Sequence, residues 1–245
     1  TLFRSVILHD VGISCRRIVN GLKELHIDMA QVEGIFISHE HSDHIAGLQQ
    51  LLKRFDIPVY TKQRTWREIQ DKLVVPKNQL IELTKGSLTL GNLIVEPFAV
   101  SHDAADPIGI NVFSGNDKAT VVTDTGIISD DILHRLDDST LLVLEANYDP
   151  HMLRFGPYQP FLKQRVASDE GHLSNEMAAQ ALLMMKRPDF MQVILAHRSE
   201  NNNNAVLVTQ TIGKMLVDGG VRIGPEMKLQ HGQPNEIVSM QSVKR

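Results

Sequence analysis

The stretch Ile35-Phe36-Ile37-Ser38-His39-Glu40-His41-Ser42-Asp43-His44 decides how this chain is read. Its three leading apolar residues predict a buried strand, and after H-E-H-S-D-H the residues Ile45, Leu48, Leu51 and Leu52 keep helical spacing. Three histidines and an aspartate within six residues therefore sit at a strand's carboxyl end. In that position a sheet fixes the backbone while a loop lets side chains converge. Imidazole with carboxylate suits zinc, manganese or iron(II) rather than calcium. His39, His41, Asp43 and His44 are thus candidate metal ligands, because a solvated surface patch rarely has this composition.

Further candidates stand after other strand patterns. His102 follows residues 94–100 in V-S-H-D, Asp124 follows residues 119–123 in V-T-D-T-G, and His197 follows residues 193–196 in I-L-A-H-R-S. Each alone has an ordinary reading, as a satisfied or surface histidine or, for Asp124 before Thr125-Gly126, as a turn former. Together they offer the extra ligands that a second ion requires. His172, in G-H-L-S-N-E, stands just before a helical pattern that Ser174 or Asn175 would cap. Glu145, beyond the strand pattern 141–144, reads as an orienting partner for His172 or a metal ligand, or as a plain strand-end carboxylate.

The 245 residues, 42% apolar and 22% charged, suffice for one well-buried domain, so 1–245 is expected to be a single domain. A net charge of −4 argues against a polyanion binder held by charge alone. The basic clusters Lys53-Arg54, Arg64 with Arg67, Lys163 with Arg165, and Lys186-Arg187 each have an ordinary reading as solvated surface. No apolar run approaches the roughly 18 residues of a membrane span. A single cysteine, Cys15, excludes an internal disulfide and fits a reducing compartment, which gives a cytoplasmic expectation. The start at Thr1, without an initiator Met, is expected to be a truncation.

Strand and helix patterns alternate along the chain, and several strand patterns in succession over 84–123 predict antiparallel hairpins within a mixed architecture. The segment 147–171 is the least regular. Pro150, Gly156, Pro157 and Pro160 are interleaved there with aromatic residues, and the expectation is a long loop that is functional or mobile. It offers Arg154, Phe155, Tyr158, Lys163 and Arg165 as contacts for a nucleic acid, against the alternative that its aromatics only pack the loop down.

These motifs resemble the metallo-β-lactamase superfamily over nearly the whole chain. The resemblance implies an α/β fold of four αββα layers, two sheets between helices, with two divalent metal ions, zinc or manganese, at one edge. By the same resemblance His39, His41 and His102 hold the first ion, Asp43, His44 and His197 the second, and Asp124 bridges them. Asp10, in I-L-H-D-V-G, matches an aspartate that braces the metal loop. Later strings, L-E-A-N-Y-D at 144–149, G-P-Y-Q-P-F-L-K-Q-R at 156–165, G-H-L-S-N-E at 171–176 and A-H-R-S-E-N-N at 196–202, resemble the YycJ or WalJ group of predicted nucleases. RNase Z is a more distant likeness. Two departures stand out. The hairpin with a Ser-Gly-Ser and Gly-Asn signature before the strand leading to Asp10 is missing, and Arg198 replaces a leucine, where it either reaches a phosphate or faces water.

The resemblance implies a phosphodiesterase, specifically a DNA exonuclease, with nucleic acid as partner and a metal-bridging hydroxide as nucleophile, since paired ions lower the pKa of a shared water. Asp43 would orient that water or accept its proton. His172 would bind phosphate or donate a proton to the leaving oxygen, and Tyr158, Lys163, Arg165 and Arg198 would contact substrate. The spacing from Asp124 to His197 leaves no room for the inserted domain of RNase J-type enzymes. Two other readings remain at this point: a small-molecule hydrolase of a cyclic phosphodiester, thioester or lactone, and a noncatalytic metal-binding protein.

Overall fold

In the computed structural model, which describes residues 5–84, 86–234 and 236–241, the apolar run before the histidine motif lies in a strand, β2 (Val32–Phe36). Residues 1–4, to which the expected incomplete first strand in part refers, lie outside the described residues. The chain divides into two compact units, residues 1–97 with 104–108 and residues 98–103 with 109–245.

In the first unit β2 pairs in parallel with β1 (Val6–His9) and β3 (Val59–Thr61), and β4 (Leu80–Glu82) flanks β3. Helix α1 (Cys15–Glu24) is capped by Ser14, whose Oγ accepts from Arg17 N, and buries Cys15, Val19 and Leu22 on one stripe. The helical pattern beyond the motif is not one helix. It splits into α2 (Ser42–Ile45) and α3 (Leu48–Leu52) around Gly47. The Gly47 N–H donates to Val11 O at 2.8 Å, and a Cβ there would stand 2.2 Å from Ile13 O, so close backbone approach causes the break. Helix α4 (Gln63–Lys72) buries Trp66 and Ile69, and the core gathers these with Ile35, Ile37, Leu48, Leu51 and Val59. Strands β5 (Leu88–Leu90) and β6 (Leu93–Ala99) form an antiparallel hairpin turned by Gly91 at φ +52°.

The second unit is built on β7 (Ile108–Ser114), β8 (Asp117–Val122), β9 (Leu141–Glu145), β10 (Met191–Ala196) and β11 (Met227–His231). The β7–β8 hairpin is antiparallel, and β8, β9, β10 and β11 follow one another in parallel. The hairpins predicted over 84–123 are therefore observed. Helices α5 (Asp130–Leu136), α6 (Pro150–Phe155), α7 (Pro160–Val166), α8 (Asn175–Met184) and α9 (Ala205–Asp218) complete the unit. Its core joins Val122, Leu142, Leu144, Leu182, Val193 and Ile212.

The expectation of a long loop over 147–171 is corrected by α6 and α7. Pro150 and Pro160 occupy the first turns of these helices, where a missing N–H costs nothing, and the Asp149 side chain accepts from Met152 N at 2.8 Å. Buried Tyr148, Leu153 and Val166, with Tyr158 and Leu162 against them, form a small core of the segment's own. Among the described residues no helix is long and apolar enough to cross a membrane.

Candidate metal centre

In the first unit, the sheet delivers the motif at the carboxyl ends of β1 and β2. Asp10 N donates to Phe36 O at 2.8 Å, tying the two strand ends. The Asp10 carboxylate then accepts from Ser38 N at 2.8 Å, from Ser38 Oγ at 2.7 Å and from His44 Nδ1 at 2.8 Å. Burial opposes ionisation of Asp10. The His9 and His44 imidazoles and the Ser38 N–H outweigh it and hold the carboxyl below the usual range. With Nδ1 of His44 committed to a carboxylate, Nε2 is the nitrogen left with a lone pair. His39 Nε2 and His41 Nδ1 approach to 3.0 Å, and the His39 and His44 rings lie 4.0 Å apart. Asp43 Oδ2 lies 3.6 Å from His44 Nε2 on a largely exposed side chain.

In the second unit Asp124, Glu145 and His197 stand at the ends of β8, β9 and β10, while His102 follows β6 and His172 precedes α8. Nδ1 of His172 and Nδ1 of His197 each lie 2.8 Å from the same oxygen, Oε1 of fully buried Glu145. The other Glu145 oxygen accepts from Thr125 N and Leu173 N, both at 3.1 Å. Asp124 Oδ1 lies 3.4 Å from His197 Nδ1 and 3.8 Å from His102 Nε2, and His102 Nδ1 meets Gly171 O at 3.0 Å. Burial opposes the charge on Glu145, but the two imidazoles keep its pKa low. Burial likewise opposes protonation of His172, and Glu145 outweighs it to raise that pKa. For His102 burial prevails and the pKa falls.

Imidazole nitrogens with carboxylate oxygens suit a divalent ion. Asp124, Glu145, His172 and His197 each offer one ligand atom, all within 4.8 Å of one another. The first unit likewise brings imidazole nitrogens together. The resemblance separated Asp124 and His197, as ligands, from Glu145 and His172; the structure brings all four together.

Backbone strain marks the same places. Asp10, Asp124 and His197, each just beyond a strand, have φ of +57°, +55° and +51°. A left-handed non-glycine residue costs on the order of 1–3 kcal/mol and persists where its surroundings enforce it. At His197 part of that enforcement is Asn147, whose Nδ2 donates to His197 O at 2.8 Å. Asn203 in turn donates to Ala146 O and Asn147 O at 3.0 and 3.1 Å and pairs its amide with that of Asn175. The run Asn201 to Asn204 thus does several jobs, with Asn204 capping α9.

The predicted substrate contacts have varied surroundings. Arg165 pairs through Nε with Asp103, itself 3.4 Å from His102 Nε2. Lys163 Nζ donates to Arg154 O at 2.8 Å, and the Tyr158 hydroxyl accepts from Asn201 Nδ2 at 3.4 Å. Arg198 Nη1 is buried with no hydrogen-bond partner among the described residues. Sequence reasoning missed Glu40, between His39 and His41, whose buried carboxylate accepts from Ala105 N at 2.9 Å. It also missed Asn147 and Asp103. Only their closeness in sequence to strand-end ligands hinted at them.

Strand-end clusters of imidazole and carboxylate on mixed α/β units define a metal-dependent hydrolase. A family model described as a beta-lactamase superfamily domain matches residues 7–197, and the chain belongs to that family. It is 34% identical to exodeoxyribonuclease YycJ of Bacillus anthracis over 97% of this chain and 90% of that protein. It is 31% identical to exodeoxyribonuclease WalJ of Streptococcus pneumoniae over 94% of this chain and 87% of that protein. The metallo-beta-lactamase fold protein YhfI of Bacillus subtilis shares the fold, with a TM-score of 0.66 at 15% identity over 92% of this chain and 84% of that one.

Proposed function

We propose that the protein is a phosphodiesterase that degrades DNA from an end with two bound divalent ions, zinc or manganese, and that it works in the cytoplasm. The observation that carries this reading is the gathering of Asp124, Glu145 and His197, at the ends of β8, β9 and β10, with His172 from the stretch before α8. Homology to two exodeoxyribonucleases along nearly their full length supports the substrate. The family match runs through both compact units, which supports reading 1–245 as one hydrolase domain.

In this reading His39, His41 and His102 hold one ion, Asp43, His44 and His197 the other, and Asp124 serves both. The ions, when bound, supply Lewis acidity toward a phosphoryl oxygen and an activated water. Asp10 keeps His44 in one tautomer and orientation through its Nδ1 hydrogen bond. Asp43 orients the attacking water and accepts its proton. His172, with Nδ1 on Glu145, presents Nε2 for a proton to the leaving oxygen, and Glu145 favours the protonated ring that this role needs. Arg198, whose buried Nη1 lacks a protein partner among the described residues, is offered to a phosphate oxygen. Tyr158, Lys163 and Arg165 are the other substrate contacts proposed, Arg165 through its pairing beside His102.

The test is to load purified protein with zinc or manganese and compare end-labelled DNA and RNA with bis(4-nitrophenyl) phosphate, a thioester and a lactone. Metal-dependent release of nucleotides from DNA is expected. Rapid turnover of a small substrate without nucleic-acid cleavage would overturn the reading.

A further inference from the structure

Within the first unit, the end of α1 leads into β2 and the end of α3 leads into β3, so both helix ends lie at the amino ends of these parallel strands. His39 follows the carboxyl end of β2. Between the two helix ends is a cavity of about 570 Å³, within the range of roughly 300–1,000 Å³ usual for small-molecule sites. The length of β2, about 13 Å at about 3.3 Å per residue, separates it from the histidine motif. Buried Val19 and Met29 form an apolar floor, and half-buried Phe55 forms a wall. The Arg54 guanidinium lies 5.4 Å from the centre of the Phe55 ring, with Nη1 3.7 Å from Sγ of Cys15. Lys23 and His26 stand exposed at the rim, and among the described residues neither they nor Arg54 enter an ion pair. Nor does the end of α1 need their side chains, because Gly21 O, Leu22 O and Lys23 O accept from Leu25 N, Ile27 N and His26 N. His26 has φ +58°, a left-handed position that glycine fills most readily, so an imidazole is set there against the backbone preference. The carboxylate of the lining, Asp28, accepts from Ala30 N at 2.9 Å and is spent on the backbone.

From this arrangement we infer that the cavity binds a nucleoside monophosphate, with the base against Phe55 and Arg54 and the phosphate between Lys23 and His26. A planar base stacks on an aromatic ring and on a guanidinium alike, and Val19 and Met29 meet its apolar edge. The phosphate dianion accepts charge-assisted hydrogen bonds from an ammonium and an imidazolium. Apolar floor, ring and unpaired cations together match a small molecule that joins a planar ring to a phosphate. A nucleoside monophosphate is also what an exonuclease releases. The inference rests on the nuclease reading for the origin of the ligand, and it makes the cavity a second place, apart from the metal centre, where the enzyme holds its own product.

The experiment titrates the manganese-loaded protein with dAMP by calorimetry and repeats the titration after chelation. A dAMP site that persists without manganese is expected. Lys23→Ala and Arg54→Ala should each weaken it about tenfold or more, and Phe55→Leu, which keeps apolar bulk without the ring, about fivefold or more. Hydrolysis of bis(4-nitrophenyl) phosphate should be unchanged in all three. His26→Gly should raise the melting temperature, since glycine takes the left-handed turn freely, and still weaken dAMP. Binding that vanishes on chelation and is untouched by these substitutions would overturn the inference, because dAMP would then meet the metal centre alone. Inorganic phosphate or deoxyadenosine binding as tightly as dAMP would overturn it as well, since base and phosphate would not both be read. A preference for AMP over dAMP would contradict the assignment of the ligand as a DNA product. Absence of DNA cleavage by a protein that still binds dAMP at the cavity would defeat the nuclease reading and leave the nucleotide site standing.

Discussion

Nδ1 of His172 donates to Oε1 of Glu145 over 2.8 Å, and Nδ1 of His197 lies at the same distance from that same oxygen. One buried carboxylate thus orients two imidazoles that the sequence places 25 residues apart. Such partners of metal-site histidines typically contribute about 10- to 100-fold in affinity or activity. Glu145→Gln keeps the shape and removes the charge, so it should lower metal affinity and kcat/KM by that order. Elemental analysis and steady-state rates check this, and unchanged values would remove Glu145 from the account.

His172→Ala should lower kcat by roughly 10²- to 10⁴-fold, the usual contribution of a positioned acid or base. Metal content should stay constant. Loss of an ion in this variant would make His172 a ligand with Asp124, Glu145 and His197, an arrangement their geometry permits.

Asn147→Ala removes the donor that meets His197 O. A carbonyl left without its partner costs about 1–3 kcal/mol, and the left-handed turn at His197 loses a restraint. Thermal unfolding of the metal-free protein should show the loss, with weaker metal binding. An unchanged melting temperature would mean that other contacts fix the turn.

Gly12→Ala should displace the metal loop, because a Cβ at this position would stand 1.4 Å from Asp43 O. Flexible side chains cannot relieve a backbone collision. A destabilisation of about 1–3 kcal/mol or more is expected, accompanied by reduced metal content; a variant that melts and binds metal normally would contradict the close approach.

The ionised Glu145–His172 pair predicts a pH profile for the metal-free protein. Glu145 has a folded pKa below its ordinary value of 4.5, so its contribution is present above that pH and is lost as pH falls through the folded value. His172 has a folded pKa above 6.5, so its contribution is complete below that pH and is lost as pH rises through the folded value. Stability from the pair is therefore greatest between about pH 4.5 and 6.5. Denaturant titrations across pH should show this window flattened in Glu145→Gln.

Much of the scaffold was legible because buried strands announce themselves by apolar runs. The runs ending at Ile37, Leu144 and Ala196 each lead into the histidines and carboxylates that the structure gathers. What escaped was set by contacts distant in sequence or by exact backbone geometry. Gly47 breaks a helical pattern because it packs on Val11 and Ile13, which no periodicity signals. Pro150 and Pro160 mark the least regular stretch of the sequence and yet start helices, because each falls in a first turn. Strand β11, with the mixed pattern M-K-L-Q-H, has no apolar run to announce it. Among the clustered residues, His39, His41, His44, His102, Asp124, His172 and His197 are visible by type and position. Glu40 and Asn147 are not, since a hydrogen bond to a remote backbone group leaves no mark in the local sequence.

The most direct test of the account digests linear DNA and covalently closed single-stranded circles of the same sequence with the metal-loaded protein. Nucleotides should be released from the linear strands alone, with all activity lost on chelation and restored by zinc or manganese. Equal attack on the closed circles would contradict action from an end, and cleavage that persists without divalent ions would contradict the metal centre.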